Sequence, residues 1–145
     1  MTEPCRPVLI LGAFGTFGRL ITDALAQTTD LPIIAAGRRL PEVQAEFRPG
    51  IRALALDSND LGAAVLEKLG LAVVIDTVGP FQGRDRNLAQ SCIDLGIHYL
   101  DLADGREFVQ NVCSLDAAAA ARNVLVVSGA STVPALSSAD RKSVV

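Results

Sequence analysis

Three glycines, Gly12, Gly15 and Gly18, follow one another at three-residue intervals, directly after the apolar run PVLIL and immediately ahead of a stretch with helical periodicity. In that setting the spacing suits the binding of a diphosphate. Gly12 allows a sharp turn, Gly15 presents no side chain where the backbone must approach phosphate, and Gly18 lets a helix pack closely on a strand. The free N–H groups and positive end of the helix would then face the anion. Thr16 offers a hydroxyl, while Phe14 and Phe17 are placed to wall the site or pack beneath it. The second glycine comes one residue later than in GxGxxG, so the motif alone is equally readable as a glycine-rich turn.

Two other stretches point the same way. About 20 residues beyond the glycines, the apolar run LPIIAA ends in Gly37-Arg38-Arg39, where an NAD site would carry an acidic residue for the ribose 2′-hydroxyl. Two guanidinium groups there favour a 2′-phosphate, and so NADP(H) over NAD. Asp57, at the end of IRALALD, suits a hydrogen bond to an adenine edge and serves equally well as a helix N-cap. Thr77-Val78-Gly79-Pro80-Phe81 leaves another apolar run through a Gly-Pro turn, whose backbone groups can approach the nicotinamide half of a dinucleotide.

The elements that must hold these residues are legible as six short apolar runs: PVLILG, LPIIAAG, IRALALD, LAVVIDTVG, IHYLDLA and NVLVVSG. Amphipathic segments from Phe17 to Gln27, Ser58 to Leu69, Arg84 to Leu95 and Arg106 to Arg122 alternate with them. The pattern predicts an α/β fold, a Rossmann-like doubly wound parallel sheet of about six strands with helices on both faces. Gly70 is placed to end the second helix, and the run Ala117 to Ala121 is explained by helix propensity.

Composition narrows the function further. The chain has 145 residues, half of them hydrophobic, and a formal charge of −3, so it has no global attraction for nucleic acid or anionic membranes. The amino terminus has no signal-peptide pattern and no run approaches a membrane span, which predicts a cytoplasmic protein. Cys5, Cys92 and Cys113 are far apart and His98 is the sole histidine, so neither a disulfide framework nor a metal site is expected. No residue stands out as catalytic. His98 and Tyr99 fall early in an apolar strand and read as packed structural residues. Asp101 and Asp104, near its far end, suit loop stabilisation or capping, or the positioning of substrate. Tyr99 is followed four residues later by Ala103, which excludes the Tyr-Lys pair of short-chain dehydrogenases, and SGAS around Ser128 lacks the GxSxG elbow of serine hydrolases.

GAFGTFG, VGPFQG, SCIDLGIHYLDLADGREFV and SGASTVPALSSA together resemble the NADP-binding domain of the saccharopine dehydrogenase-like oxidoreductases over nearly the whole chain. The resemblance implies a phosphate loop at Gly12, Ala13, Phe14, Gly15, Thr16, Phe17 and Gly18, selectors of the 2′-phosphate at Arg38 and Arg39, and a nicotinamide-side turn at Thr77, Val78, Gly79, Pro80 and Phe81. It also implies hydride transfer to or from a small amino-acid-derived substrate, with a substrate domain after the first. Residues 1–139 are accordingly expected to form the NADP-binding domain and residues 140–145 a polar tail, the substrate domain being absent from this chain. A nonenzymatic NADPH sensor and a truncated, inactive fragment stand as alternatives. Surfaces left uncovered by a missing domain would favour a homodimer.

Overall fold

The structure, a computed structural model, describes residues 5–40 and 50–131. The expected tail and part of the SGASTVPALSSA segment lie outside the described residues.

Six strands, β1 (Val8–Leu11), β2 (Ile33–Gly37), β3 (Ile51–Ala55), β4 (Val73–Asp76), β5 (His98–Asp101) and β6 (Val126–Val127), form one sheet in the order β3-β2-β1-β4-β5-β6. Every pairing is parallel. This is the doubly wound Rossmann arrangement, with its switch point between β1 and β4. Register aligns Leu11 with both Ala36 and Asp76, and Asp76 with Asp101, so the carboxyl ends of β1, β2, β4 and β5 open onto the same edge.

Alternate residues of each strand feed two faces. On one, Leu9, Leu11, Ile34, Val74 and Tyr99 are buried beneath three helices, α2 (Ala63–Leu69), α3 (Asn87–Asp94) and α5 (Asp116–Ala121). On the other, Val8, Ile10, Ile33 and Ala35 meet α1 (Thr16–Thr28) through Ile21 and Leu25. Burying a side chain of this size contributes about 1.5–3 kcal/mol, so the strands are held by the helices that cover them. No helix among the described residues is long and apolar enough to cross a membrane.

The helices depart from the expected segments in three places. The segment from Ser58 divides into a single 3-10 turn, Ser58–Asp60, and α2, because Asp57 caps the turn by accepting from Asn59 N–H (3.0 Å) and Leu61 dips into the core before Gly62 starts the helix. Gly70 ends α2 in the left-handed conformation (φ 62°), as expected. The helix expected from Arg84 begins at Asn87, whose N–H is taken by Asp85 (3.0 Å) while Arg84 turns back toward β4.

The segment expected as one helix from Arg106 to Arg122 is two, α4 (Arg106–Cys113) and α5. Ser114 back-bonds to the Asn111 carbonyl (2.6 Å) and Leu115 N–H reaches only to Val112 O (2.9 Å), which tightens and ends the first helix. Two destinations require the break. Phe108 and Val112 pack on Phe81 and Ala103, whereas Leu115 and Ala119 belong to the main core.

Candidate functional site

The turn after β1 is built from three glycines with three different surroundings. Gly12 has φ +75°, and a Cβ there would lie 2.7 Å from Thr77 Oγ1. Thr77 itself donates through Oγ1 to Leu11 O (2.7 Å), clamping the ends of β1 and β4 together. A Cβ on Gly18 would stand 2.1 Å from the Gly12 carbonyl oxygen, so the first turn of α1 rests directly on the loop backbone. Gly15 differs: the nearest atom to its Cβ position is Gly12 O at 3.3 Å, and Gly15 faces a crevice of about 580 Å³. It precedes α1 with no side-chain cap, so the helix presents its N-terminal N–H groups without a competing internal acceptor from the cap residue.

The far wall comes from the ends of β2 and β3. Ala13 N–H donates to Ala36 O (3.0 Å), tying the loop to β2, and Phe14 lies against Gly37, where any Cβ would meet its ring at 2.6 Å. Gly37, Arg38 and Asp57 line the crevice; the Asp57 carboxylate is the cap of the 3-10 turn. Both readings of Asp57 therefore remain physically compatible. Opposite them, Thr77 through Pro80 form the wall after β4, with a cis Gly79–Pro80 bond.

Two buried carboxylates stand behind that wall. Asp101 accepts through Oδ1 from Ala103 N–H (2.9 Å), Gly129 N–H (2.9 Å) and Ser128 Oγ (3.0 Å), joining the loops after β5 and β6. This is the loop-stabilising role; Asp104 accepts from Gln82 Nε2 (3.2 Å) nearby. Asp76 accepts from Val78 N–H through Oδ1 (2.9 Å), and its Oδ2 lies 3.1 Å from Arg84 Nη2. Burial pushes the Asp76 carboxyl above its usual range, opposed by the Arg84 charge and the Val78 hydrogen bond. Burial likewise raises the Tyr99 phenol, and raises the Cys92 thiol to about 12.

A family model described as the saccharopine dehydrogenase NADP binding domain matches residues 8–127, from the start of β1 to the end of β6. The chain belongs to that family. No curated protein matches it. Among solved structures, the TrkA-N domain of the inner membrane protein YbaL from Escherichia coli is 16% identical with a TM-score of 0.67, covering 99% of this chain and 100% of that one. Triphenylmethane reductase from Citrobacter sp., complexed with NADP(H), is 18% identical with a TM-score of 0.57, covering 83% of this chain and 48% of that one. A short-chain dehydrogenase from Leptospira borgpetersenii with bound NAD+ is 16% identical with a TM-score of 0.55, covering 83% and 68%. This chain spans about half the length of the reductase. At these identities the likeness is one of fold.

Gly15 is open on the crevice side, beside the start of the first helix. Of the residues singled out in the sequence, Gly12, Gly15, Gly37, Arg38, Asp57 and Thr77 through Pro80 line one crevice. The others stand outside its lining. Ala13 and Gly18 are buried under the loop, Phe14 supports Gly37, and Phe81 packs on Phe108 with ring centroids 5.3 Å apart. Thr16, Phe17 (65% exposed) and Arg39 are on the surface. Tyr99 is packed as expected, but His98 is exposed; it opens β5 and its Nδ1 accepts from Leu125 N–H (3.0 Å).

Sequence reasoning missed Asp76, Arg84, Ser58 and Asn59 at this site. Asp76 had a signal: it is the sole charged residue of β4, at the end of a strand otherwise made of Val and Ile. Arg84 had none, because GRDRN reads as a solvated charged run.

Proposed function

We propose that this crevice binds NADP(H) with its diphosphate on the Gly12–Gly18 loop and its 2′-phosphate at Arg38, assisted by Arg39. The adenine then lies toward Asp57, and the nicotinamide half along Thr77–Pro80, with Phe81 supporting that turn from below. The observation that carries this reading is that Gly15 and Arg38, chosen for two different phosphate groups of one ligand, line the same crevice. When bound, NADP(H) supplies the hydride; the chain's own residues bind and orient it. In the full-length protein, with a substrate domain beyond residues 1–139, the reaction is hydride transfer to or from a small amino-acid-derived molecule.

One observation favours a second reading, a binding module that senses NADPH without turnover. Among the described lining residues the general acid–base candidate is Asp57, whose carboxylate is already engaged in capping the 3-10 turn, and there is no histidine, tyrosine, lysine or cysteine beside it. Calorimetric titration of the chain with NADPH and NADH tests the cofactor assignment. Tighter binding of NADPH, abolished by Gly15→Asp and reduced to the NADH level by Arg38→Ala, supports it; a folded chain that binds neither nucleotide refutes it. The expected homodimer is tested by light scattering across a concentration series, where a constant monomer mass counts against it.

A further inference from the structure

The main chain of Val78 is held on both sides by side chains rather than by the sheet. Its N–H donates to Asp76 Oδ1 (2.9 Å) and its carbonyl accepts from Arg84 Nη1 (2.7 Å). The two side chains are themselves paired, Arg84 Nη2 to Asp76 Oδ2 at 3.1 Å, which closes a ring of interactions around the two peptide groups that flank Val78. The guanidinium carbon lies 5.2 Å from the centroid of the Phe81 ring, and Phe81 is fixed in turn by Phe108. Asp76 is fully buried, whereas Arg84 keeps 28% of its side chain exposed and forms part of the crevice wall.

The neighbouring strand supplies a comparison within the same molecule. Asp101, in register with Asp76, pins two loops with two backbone N–H groups and a hydroxyl, so neutral donors suffice for holding loops at this edge. At Asp76 a cation is used instead, and it belongs to a side chain that reaches the crevice. Resting on the NADP(H) reading above, we propose that Asp76 and Arg84 are positioning residues that set the backbone of Thr77–Pro80 for the nicotinamide half of the cofactor, and not for its adenine half. The loop that meets the diphosphate is organised separately, by Gly12, Gly18 and Ala13.

The test uses two ligands of different length. NADPH carries both the adenosine and the nicotinamide halves; adenosine 2′,5′-bisphosphate carries the adenine and the 2′-phosphate but no nicotinamide. Dissociation constants for both are measured on the wild-type chain and on Arg84→Gln, Arg84→Lys, Asp76→Asn and the double variant Asp76→Asn/Arg84→Gln. The expected result is a loss of about tenfold or more for NADPH in Arg84→Gln, partial recovery in Arg84→Lys, and less than about a twofold change for the bisphosphate. The double variant should lose no more than the worse single one, because the two residues act as a unit. Equal losses for the two ligands, or no loss for NADPH, overturn the inference while leaving the cofactor assignment intact. A wild-type chain that binds neither ligand overturns both. Should Asp76→Asn fail to fold, the two Arg84 variants, altered at a part-exposed side chain, decide the matter alone.

Discussion

Gly15 and Gly18 belong to one motif, yet their surroundings predict opposite consequences for the same substitution. In Gly18→Ala the new Cβ would sit 2.1 Å from Gly12 O and 2.7 Å from both Gly12 C and Ala13 Cα. Carbon–oxygen contacts in proteins are about 3.3 Å or longer, so the loop must retreat by roughly 1 Å. All three atoms are backbone, and no side chain can swing aside. Overpacking of this kind costs about 3 kcal/mol, from which helix propensity returns about 1 kcal/mol for Ala over Gly. The net loss is about 2 kcal/mol, or a melting temperature lower by about 6 °C for a domain of this size. In Gly15→Ala the nearest atom is 3.3 Å away and the backbone has φ −81°, which any residue adopts. Stability should fall by only about 0.5 kcal/mol, from a poorer N-cap. On the proposed NADP(H) reading, however, the methyl group would project into the path of the diphosphate, and NADPH affinity should fall by about tenfold or more. Thermal melts by circular dichroism and calorimetric titration of both variants separate the two effects. If Gly15→Ala melts as early as Gly18→Ala, or binds NADPH as the wild type does, the assigned division between packing and ligand approach is wrong.

Other expectations test the electrostatics and the core. Arg38→Ala should weaken NADPH by about tenfold or more and leave NADH nearly unchanged, since only the former offers a 2′-phosphate to the guanidinium; equal losses would place Arg38 elsewhere on the ligand. Because burial raises the Asp76 carboxyl above its ordinary 3.8, the folded state holds that proton to higher pH than the unfolded state. The resulting stability is full below the unfolded value and is lost as pH rises through the folded one. Urea unfolding of wild type and Asp76→Asn at a series of pH values should therefore show the wild type losing ground to the variant as pH rises from 3.8. The opposite slope would mean that pairing with Arg84 outweighs burial. Cys5 and Cys113 are exposed, whereas Cys92 is buried with its thiol raised to about 12, so a thiol reagent should modify two cysteines in the native chain and the third only after denaturation.

What the sequence made legible follows from which forces act locally. The strands were readable because a parallel sheet covered on both faces demands continuous apolar runs, and VLIL and VVID carry that demand in their own composition. Gly12 and Gly18 were readable because a turn and a tight helix contact each exclude a side chain at a fixed spacing, whereas at Gly15 the nearest atom to a Cβ stands 3.3 Å away. The break between α4 and α5 was not readable, since Arg106 to Arg122 has sufficient helix propensity throughout; only the separate clusters awaiting Phe108 and Leu115 divide it. Arg84 was hidden for a related reason. Within GRDRN its charge resembles that of Arg86, and the two are distinguished by what lies across the chain: Arg84 finds the buried Asp76, whereas Arg86 finds Ser114 and Asn111 on the surface. A charge is recognisable as part of a site when its partner is fixed by strand register, and Asp76, paired in register with Leu11 and Asp101 at the switch point, is fixed in that way. Asp76, the lone charged residue closing an apolar strand, thus marks the place to which the turn after β4 brings the Arg84 cation back.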